Sequence, residues 1–245
     1  MCGRFVSARK RLELLEEFAV ERDRVADDRN PDYNVTPTRR IYAVMDRAEK
    51  AGDGQGEGKP ANEDGGDPRR ELRLLRWGLV PSWAKDLKIG FSTFNARAES
   101  LTTRAAFRGA WQAGRRCLVL ADGYYEWRDA DKQPFAVALG NRGPMLFAGL
   151  WDVWRAPDGT ALKSFAIVTT AANALLQPLH GRMPAVLPQD SWAAWLGETA
   201  ASDGALKALL KPYPGERLTF WPVDRRVGNV RNDDPDLFAP RAEAF

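Results

Sequence analysis

The apolar residues of this chain recur in two periods, and each period predicts one kind of secondary structure. Leu12, Leu15 and Phe18 recur near a 3.6-residue period, so residues 8 to 19 are predicted to form an amphipathic helix capped by Ser7. Later apolar runs of about five to eight residues are bounded by Gly, Pro or Asp, which is typical of strands joined by turns. These runs are RCLVLADGYYEW, PFAVAL, PMLFAGLW, SFAIVTT, MPAVL and LTFWPV.

The order of these elements predicts the fold class. A further strand is predicted from residue 40 to 45, and ELRLLRWGLV has the apolar pattern of another. Strands outnumber helices and seldom alternate with them, which favours an α+β fold with a mostly antiparallel sheet core and peripheral helices. The remaining helices are predicted at residues 102–112, 171–178, 189–197 and 203–211.

One polar segment interrupts this pattern. EKAGDGQGEGKPANEDGGDP is nearly free of apolar residues and rich in Gly, Asp and Glu, so it cannot bury enough surface to become ordered. We therefore predict a disordered loop at about residues 47–68, inserted between two strands. Neither flank is long enough to fold alone as a separate unit. The expectation is a single domain over residues 2–235, followed by a C-terminal tail at 236–245.

The composition excludes several classes of protein. Two cysteines give no disulfide framework, so a reducing cytoplasmic compartment is expected. No segment reaches the roughly 18 apolar residues that cross a bilayer, so we expect no membrane partner. GxxxxGK[ST], GxGxxG and GxSxG motifs are missing, and one histidine with two cysteines does not supply a usual zinc site. We therefore expect no metal, nucleotide or other cofactor.

The charge is distributed unevenly along the chain. Residues 69–128 carry 12 Lys and Arg against 5 Asp and Glu, although the whole chain has a net charge of only +3. A basic segment in an otherwise slightly acidic chain is typical of a protein that binds a polyanion, and a solvated surface is the alternative. Trp77 and Trp83 lie within this segment, and exposed aromatic rings among cations suit stacking on unpaired bases. One of the two tryptophans is expected to be core.

A few residues carry candidate chemistry. Removal of Met1 would make Cys2 the N-terminal residue, with an amine and a thiol on adjacent carbons. His180 is either structural or a proton-transfer group. Glu126 shares a strand face with Tyr124; it is either an exposed carboxylate or a buried one with a raised pKa.

One extended segment adds two polar side chains to these candidates. Asn95 and Arg97 in FNARAES would share one face of an extended segment and suit a nucleotide and its phosphate.

Seven ordered motifs resemble one known family. The segments MCGRF, YNVTP, RWGLVPSW, FNARAES, ADGYYEW, LHGRMP and VGNVRND extend from Cys2 to about Asp233. In this order they resemble the SRAP family, the SOS-response-associated peptidases that are also described as abasic-site processing proteins. The resemblance implies covalent capture of abasic sites in single-stranded DNA through the N-terminal cysteine, without a cofactor. Because covalent capture needs only one site, we expect a monomer, in the cytoplasm and associated with the nucleoid during DNA damage.

The resemblance also implies roles for single residues. Cys2 would form the crosslink, Asn95 would hold its amine, and Glu126 and His180 would be the acid-base pair. The residues implied to bind DNA are Arg4, Asn34, Arg97 and Arg182 as phosphate or lesion contacts, and Trp83 as a base-stacking wedge. Positive charge from these arginines is expected to favour the Cys2 thiolate.

Three other functions remain open at this point. MCG also resembles the start of glutamine amidotransferases, which predicts attack of the thiol on an amide. A cysteine peptidase would use Cys2 with His180, and removal of Met1 is the cleavage that suits it. A non-catalytic single-strand binder would use only the basic groove.

AP-lyase cleavage of the strand is expected as a side reaction of the crosslinking protein.

Overall fold

The protein is described by a computed structural model that covers residues 2–46 and 70–241. The strands in these ranges are β1 (Arg4–Ser7), β2 (Arg22–Asp23), β3 (Asp32–Val35), β4 (Arg40–Asp46), β5 (Arg70–Trp77), β6 (Asn95–Arg97), β7 (Arg116–Ala121), β8 (Gly123–Trp127), β9 (Pro134–Leu139), β10 (Met145–Arg155), β11 (Ala161–Ala171), β12 (Arg182–Pro184) and β13 (Leu218–Pro222). The α-helices are α1 (Arg11–Glu17), α2 (Ala105–Gln112), α3 (Trp192–Leu196) and α4 (Asp203–Ala208). Short 3-10 helices occupy Leu87–Phe91, Ala98–Ser100, Gln189–Ser191, Gly215–Arg217, Arg225–Gly228 and Pro235–Phe238.

Five strands form a closed ring. β5, β4, β7, β10 and β11 are antiparallel neighbours in that order, and β11 also pairs in parallel with β5. Because this last pairing joins the two ends of the row, the ring is a small barrel. β6 and β12 both add to β11, so the segments that contain Asn95 and Arg182 extend the barrel sheet.

A second sheet packs on the barrel. Its order is β13-β9-β8-β1-β3, and each of its neighbouring pairs is antiparallel. One buried cluster contains Phe5 and Tyr124 of this sheet together with Val119, Phe147 and Ile167 of the barrel. The sheet therefore shares a core with the barrel, while the four α-helices contribute to a separate core cluster.

Most of the predicted elements are confirmed. The strand predicted from residue 40 is β4, the later apolar runs overlap β7 to β13, and α2, α3 and α4 lie within three of the predicted helices. The α+β fold with a mostly antiparallel sheet is confirmed as well. Every helix in the described ranges is too short or too polar to span a bilayer. The predicted loop at 47–68 lies outside the described residues.

Two local predictions are wrong. The first helix begins at Arg11 after Lys10, and the Ser7 hydroxyl instead accepts a hydrogen bond from Arg29. Residues 171–178 form no helix. β11 continues to Ala171, and Pro178 disfavours a helical backbone at the residue before it. Within the segment predicted as a C-terminal tail, Leu237 is fully buried and the Phe238 carbonyl accepts from Trp221 Nε1 at 3.0 Å.

Candidate active site and DNA-binding surface

Cys2 lies two residues before β1, the strand between β8 and β3 in the second sheet. β1 pairs with β3 on one side and β8 on the other, so the backbone that follows Cys2 is fixed on both edges. The Cys2 side chain has no exposed surface, and its Sγ donates a long hydrogen bond of 3.8 Å to the Arg4 carbonyl. The thiol is therefore enclosed in the core shared by the two sheets.

Asn95 contacts Cys2 from the barrel. Its Nδ2 donates a hydrogen bond of 2.6 Å to the Cys2 carbonyl oxygen. Its Oδ1 is buried and has no hydrogen-bond partner among the described residues. The segment is positioned by parallel pairing of β6 with β11, in which Asn95 is opposite Ile167. Asn95 thus fixes the Cys2 backbone and keeps one acceptor available within the site.

Glu126 is buried beside Cys2. β8 is covered by β1 and β9, and only 6% of Glu126 is exposed. Period-two alternation places Tyr124 in the core that contains Cys2 and places Tyr125 on the opposite face, as the sequence predicted. Burial raises the pKa of Glu126 above its ordinary value, and positive charge that includes His180 opposes this rise. The buried alternative for this carboxyl is therefore correct.

The Cys2 thiol is held in its protonated form. Burial raises its pKa far above the ordinary value, and the neighbouring Glu126 carboxylate raises it further. This direction does not support the expectation that arginines favour the thiolate. The pKa of Tyr124 is also raised, chiefly by burial and further by the neighbouring Glu126. Tyr124 is a site residue that sequence reasoning did not single out, although its alternation with Glu126 indicated it.

His180 lies in the turn before β12, with its ring orientation fixed by the backbone. Its Nδ1 accepts a hydrogen bond of 3.0 Å from the Arg182 backbone N–H. In the neutral ring the proton therefore lies on Nε2. Its charge acts on Glu126, so the loop brings it close to the buried carboxyl.

Arg97 and Arg182 project at the edge formed by β6, β11 and β12. Arg97 is exposed, and Thr169 of β11 is opposite it in the parallel pairing. Arg182 donates from Nη2 to the Thr169 carbonyl at 2.6 Å and to Glu99 from both terminal nitrogens, at 2.7 and 2.9 Å. Sequence reasoning did not identify Glu99, because the pairing joins residues 83 positions apart.

Arg4, which is half-buried, and Asn34, which is buried, are both bound by one loop segment. Asn34 is only 3% exposed, and its amide donates to the carbonyls of Val227, Asn229 and Asn232. Arg4 Nη1 donates to Asn34 Oδ1 at 2.8 Å and to the Val227 carbonyl at 2.7 Å. These contacts fix the VGNVRND segment against β1 and β3, so both side chains are placed to organise a loop.

The two tryptophans of the basic segment have different environments. Trp77 is fully buried and donates from Nε1 to the Phe94 carbonyl at 2.9 Å, whereas Trp83 is 59% exposed. Asp152 and Trp154 of β10 hold the residues on either side of Trp83. The Ser82 N–H donates to Asp152 at 3.1 Å, and Trp154 donates to the Ala84 carbonyl at 2.7 Å. An exposed indole on a fixed backbone is suited to stacking. The expectation that one tryptophan is core is confirmed.

Together these groups form an enclosed polar site next to an exposed basic edge. The enclosed part contains a thiol, a carboxyl of raised pKa and an imidazole of fixed orientation, which suits addition and proton transfer at a carbonyl carbon. Within the described ranges, no cluster of three or more His, Cys, Asp or Glu residues is suited to a metal ion. The exposed part offers guanidinium groups and an indole.

Known proteins resemble this chain over almost its full length. The abasic site processing protein YoqW of Bacillus subtilis strain 168 is 33% identical over 240 residues, which cover 97% of this chain and 98% of YoqW. The abasic site processing protein HMCES of Mus musculus is 31% identical, with 98% of this chain and 76% of HMCES covered.

Solved structures show the same fold. A protein from Bacteroides thetaiotaomicron has a TM-score of 0.81 at 23% identity, over 98% of this chain and 100% of that one. A protein from Bordetella bronchiseptica has a TM-score of 0.71 at 24% identity, over 91% and 100% of the two chains. Residues 1–230 match the family described as SOS response associated peptidase (SRAP). The resemblance seen in the seven motifs is thereby confirmed, and the chain belongs to the SRAP family.

Proposed function

We propose that this protein captures abasic sites in single-stranded DNA by forming a covalent crosslink through Cys2. The observation that carries the proposal is the position of Cys2, whose carbonyl is bound by Asn95 at 2.6 Å and whose thiol adjoins the buried Glu126. YoqW and HMCES are both named abasic site processing proteins, which supports the same substrate class for this chain.

The first step uses the amine of Cys2. Removal of Met1 exposes this amine, which is appreciably neutral at cellular pH because an α-amine has an ordinary pKa of roughly 7.7 to 8.0. The amine attacks the aldehyde of the ring-opened sugar and forms a carbinolamine. Loss of one water then gives an imine. The free Oδ1 of Asn95 is an acceptor suited to hold the amine.

The second step uses the thiol of the same residue. Sulfur adds to the imine carbon and closes a five-membered thiazolidine ring, while the thiol proton is transferred to nitrogen. Because burial keeps the thiol protonated, a base must remove that proton as the bond forms. Glu126 adjoins the thiol and is assigned this role, and His180 completes the proton exchange. The ring closure is intramolecular, so proximity favours it strongly.

The exposed edge binds the strand. Arg97 and Arg182 contact backbone phosphates, and the Trp83 indole stacks on a base next to the lesion. Arg4 and Asn34 contribute through the loop that they hold, since their polar atoms are occupied by the 227–232 segment. One site is sufficient for capture, so the protein acts as a monomer. It acts in the cytoplasm and associates with the nucleoid during DNA damage.

Two further activities follow from the same groups. If a base removes the proton next to the imine carbon, the strand is cleaved by elimination, which is AP-lyase activity. Cys2 and His180 would remove Met1 as a self-processing peptidase step, in accord with the family description. Neither activity requires a metal or a cofactor in this mechanism.

The test is the intact mass of the protein after incubation with single-stranded DNA that contains one abasic site. We expect an adduct equal to protein without Met1 plus DNA minus one water. Cys2→Ser and a form with a retained N-terminal extension should both lack it. Cys117→Ala is the matched control, because Cys117 is buried in the barrel core and should leave the adduct intact.

Other outcomes would support other functions. Normal adduct formation in Cys2→Ser would overturn the proposal. Equal binding of DNA by wild type and Cys2→Ser with no covalent product would indicate a non-catalytic binder. Ammonia release from glutamine without DNA would indicate an amidohydrolase.

A further inference from the structure

Arg182 is already occupied in the free protein. Glu99 accepts hydrogen bonds from Arg182 Nη1 at 2.7 Å and from Nη2 at 2.9 Å, one to each carboxylate oxygen. A guanidinium group presents the same pair of donors to a carboxylate and to a phosphate. A strand that contacts Arg182 through a phosphate must therefore displace the Glu99 carboxylate.

Glu99 lies between two cationic side chains. Its pKa is lowered chiefly by the hydrogen bond from Arg182 and in part by the charges of Arg182 and Arg97. These are the two arginines assigned above to backbone phosphates. The carboxylate thus neutralises part of the positive charge at the edge where DNA is expected to bind.

The position of Arg182 does not depend on Glu99. Arg182 Nη2 also donates to the Thr169 carbonyl at 2.6 Å, and only 19% of the Arg182 side chain is exposed. The Glu99 side chain is 58% exposed, so it is free to rotate into solvent. Water screens the exposed carboxylate of this pair, so we expect the fold to tolerate its loss. Loss of Glu99 would leave the guanidinium in place with two donors directed outward.

We propose that Glu99 is a built-in substitute for a DNA phosphate, which occupies Arg182 until a strand displaces it. This inference rests on the proposed binding of single-stranded DNA. Each noncovalent encounter must break the Glu99–Arg182 pair and leave a carboxylate near the phosphate, so binding to undamaged DNA is weakened. Once a covalent bond has formed, the strand is retained despite the weaker noncovalent binding. Glu99 therefore increases the selectivity for strands that carry an aldehyde.

The test compares Glu99→Gln with wild type in binding to undamaged oligothymidylate of fixed length. We expect affinity to rise about threefold to tenfold at low salt, because the phosphate no longer competes with a carboxylate. The slope of log affinity against log salt should steepen by about 0.7, the increment for one more phosphate neutralised on a single strand. Glu13→Gln is the matched control, since it changes the net charge equally at an exposed position in α1.

A double-mutant cycle separates local from general charge effects. In an Arg182→Gln background, Glu99→Gln should give no further gain in affinity, because the displaced pair is then missing. Unchanged or weaker binding by Glu99→Gln, or an equal gain by Glu13→Gln, would overturn the inference. Failure of wild type to bind or crosslink any single strand would instead overturn the proposed function, so the two failures are distinguishable.

Discussion

The side-chain amide of Asn95 donates a 2.6 Å hydrogen bond to the backbone carbonyl of Cys2. This contact joins β6, which extends the barrel sheet, to the start of β1 in the second sheet. The orientation of the Cys2 backbone determines where its amine and thiol lie. A residue that does not itself react therefore restricts the geometry of the proposed reacting groups.

Replacement of Asn95 should slow the reaction more than it weakens DNA binding. We expect Asn95→Ala to lower the single-turnover crosslinking rate at least about tenfold, because the reacting groups lose their fixed orientation. The free energy of unfolding should fall by only about 1 kcal/mol, as for one hydrogen bond. Asn173→Ala is the matched control, since its Nδ2 donates to the Tyr213 carbonyl at 2.7 Å. Equal rates for the two variants would contradict the role given to Asn95.

The ionised Glu126 carboxylate should lower the stability of the protein at neutral pH, although crosslinking requires it. Its folded-state pKa is raised by burial above the ordinary value of 4.5. The folded protein therefore binds this proton more tightly than the unfolded chain, and stability declines as pH rises from about 4.5 through the folded pKa. Glu126→Gln removes the buried charge, so it should be more stable than wild type at pH 7 and lose this advantage near pH 4. Thermal unfolding from pH 4 to 8 measures the difference.

The same variant should be poor at crosslinking. We expect Glu126→Gln to react about a hundredfold more slowly, since general acid-base catalysis typically contributes at least that factor. Glu71→Gln is a useful comparison, because Glu71 is also buried but is paired with Arg73 near the first residue of β5. A crosslinking rate for Glu126→Gln equal to that of wild type would remove Glu126 from the mechanism.

Trp77 and Trp83 should respond oppositely to truncation. Trp83→Ala is expected to weaken binding of single-stranded DNA by about 1–3 kcal/mol, the range for loss of one stacked base. Its stability should hardly change because the indole is 59% exposed. Trp77→Ala should instead cost about 3–5 kcal/mol of stability, as for a large aromatic side chain removed from a core. Equilibrium denaturation and fluorescence anisotropy measure the two quantities, and a shared loss of stability would contradict the assignment.

Asn34 should act through the loop that it binds. Its amide donates to three backbone carbonyls in the 227–232 segment and its Oδ1 accepts from Arg4, so Asn34→Ala removes all of these hydrogen bonds at once. We expect a loss of about 2–4 kcal/mol in unfolding free energy. Asn141→Ala, in an exposed turn where the side chain accepts only from the Gly143 N–H, should change stability by less than about 0.5 kcal/mol. Urea denaturation of the two variants is the measurement.

The sequence pattern predicted the parts of the site that depend on local order. Alternation along GYYEW placed Tyr124 and Glu126 on one face, because side chains in any strand alternate with period two. It did not decide whether that face is buried. The face of β8 that carries these residues packs on the barrel, where Tyr124 contacts Phe147, and this packing excludes water from the carboxyl. A strand pattern carries no information about which distant strand will be its neighbour.

Sequence alone determined the reactive groups, their order along the chain and the family to which they belong. The tertiary structure determined which of these residues contact one another. Asn95 binds Cys2 across 93 residues, Arg4 and Asn34 are held by the 227–232 segment, and Glu99 occupies Arg182. Each of these contacts exists because β11 pairs with β6 and β12, or because β1 lies between β3 and β8. Such long-range pairings form when the whole core assembles, so no local run of residues encodes them.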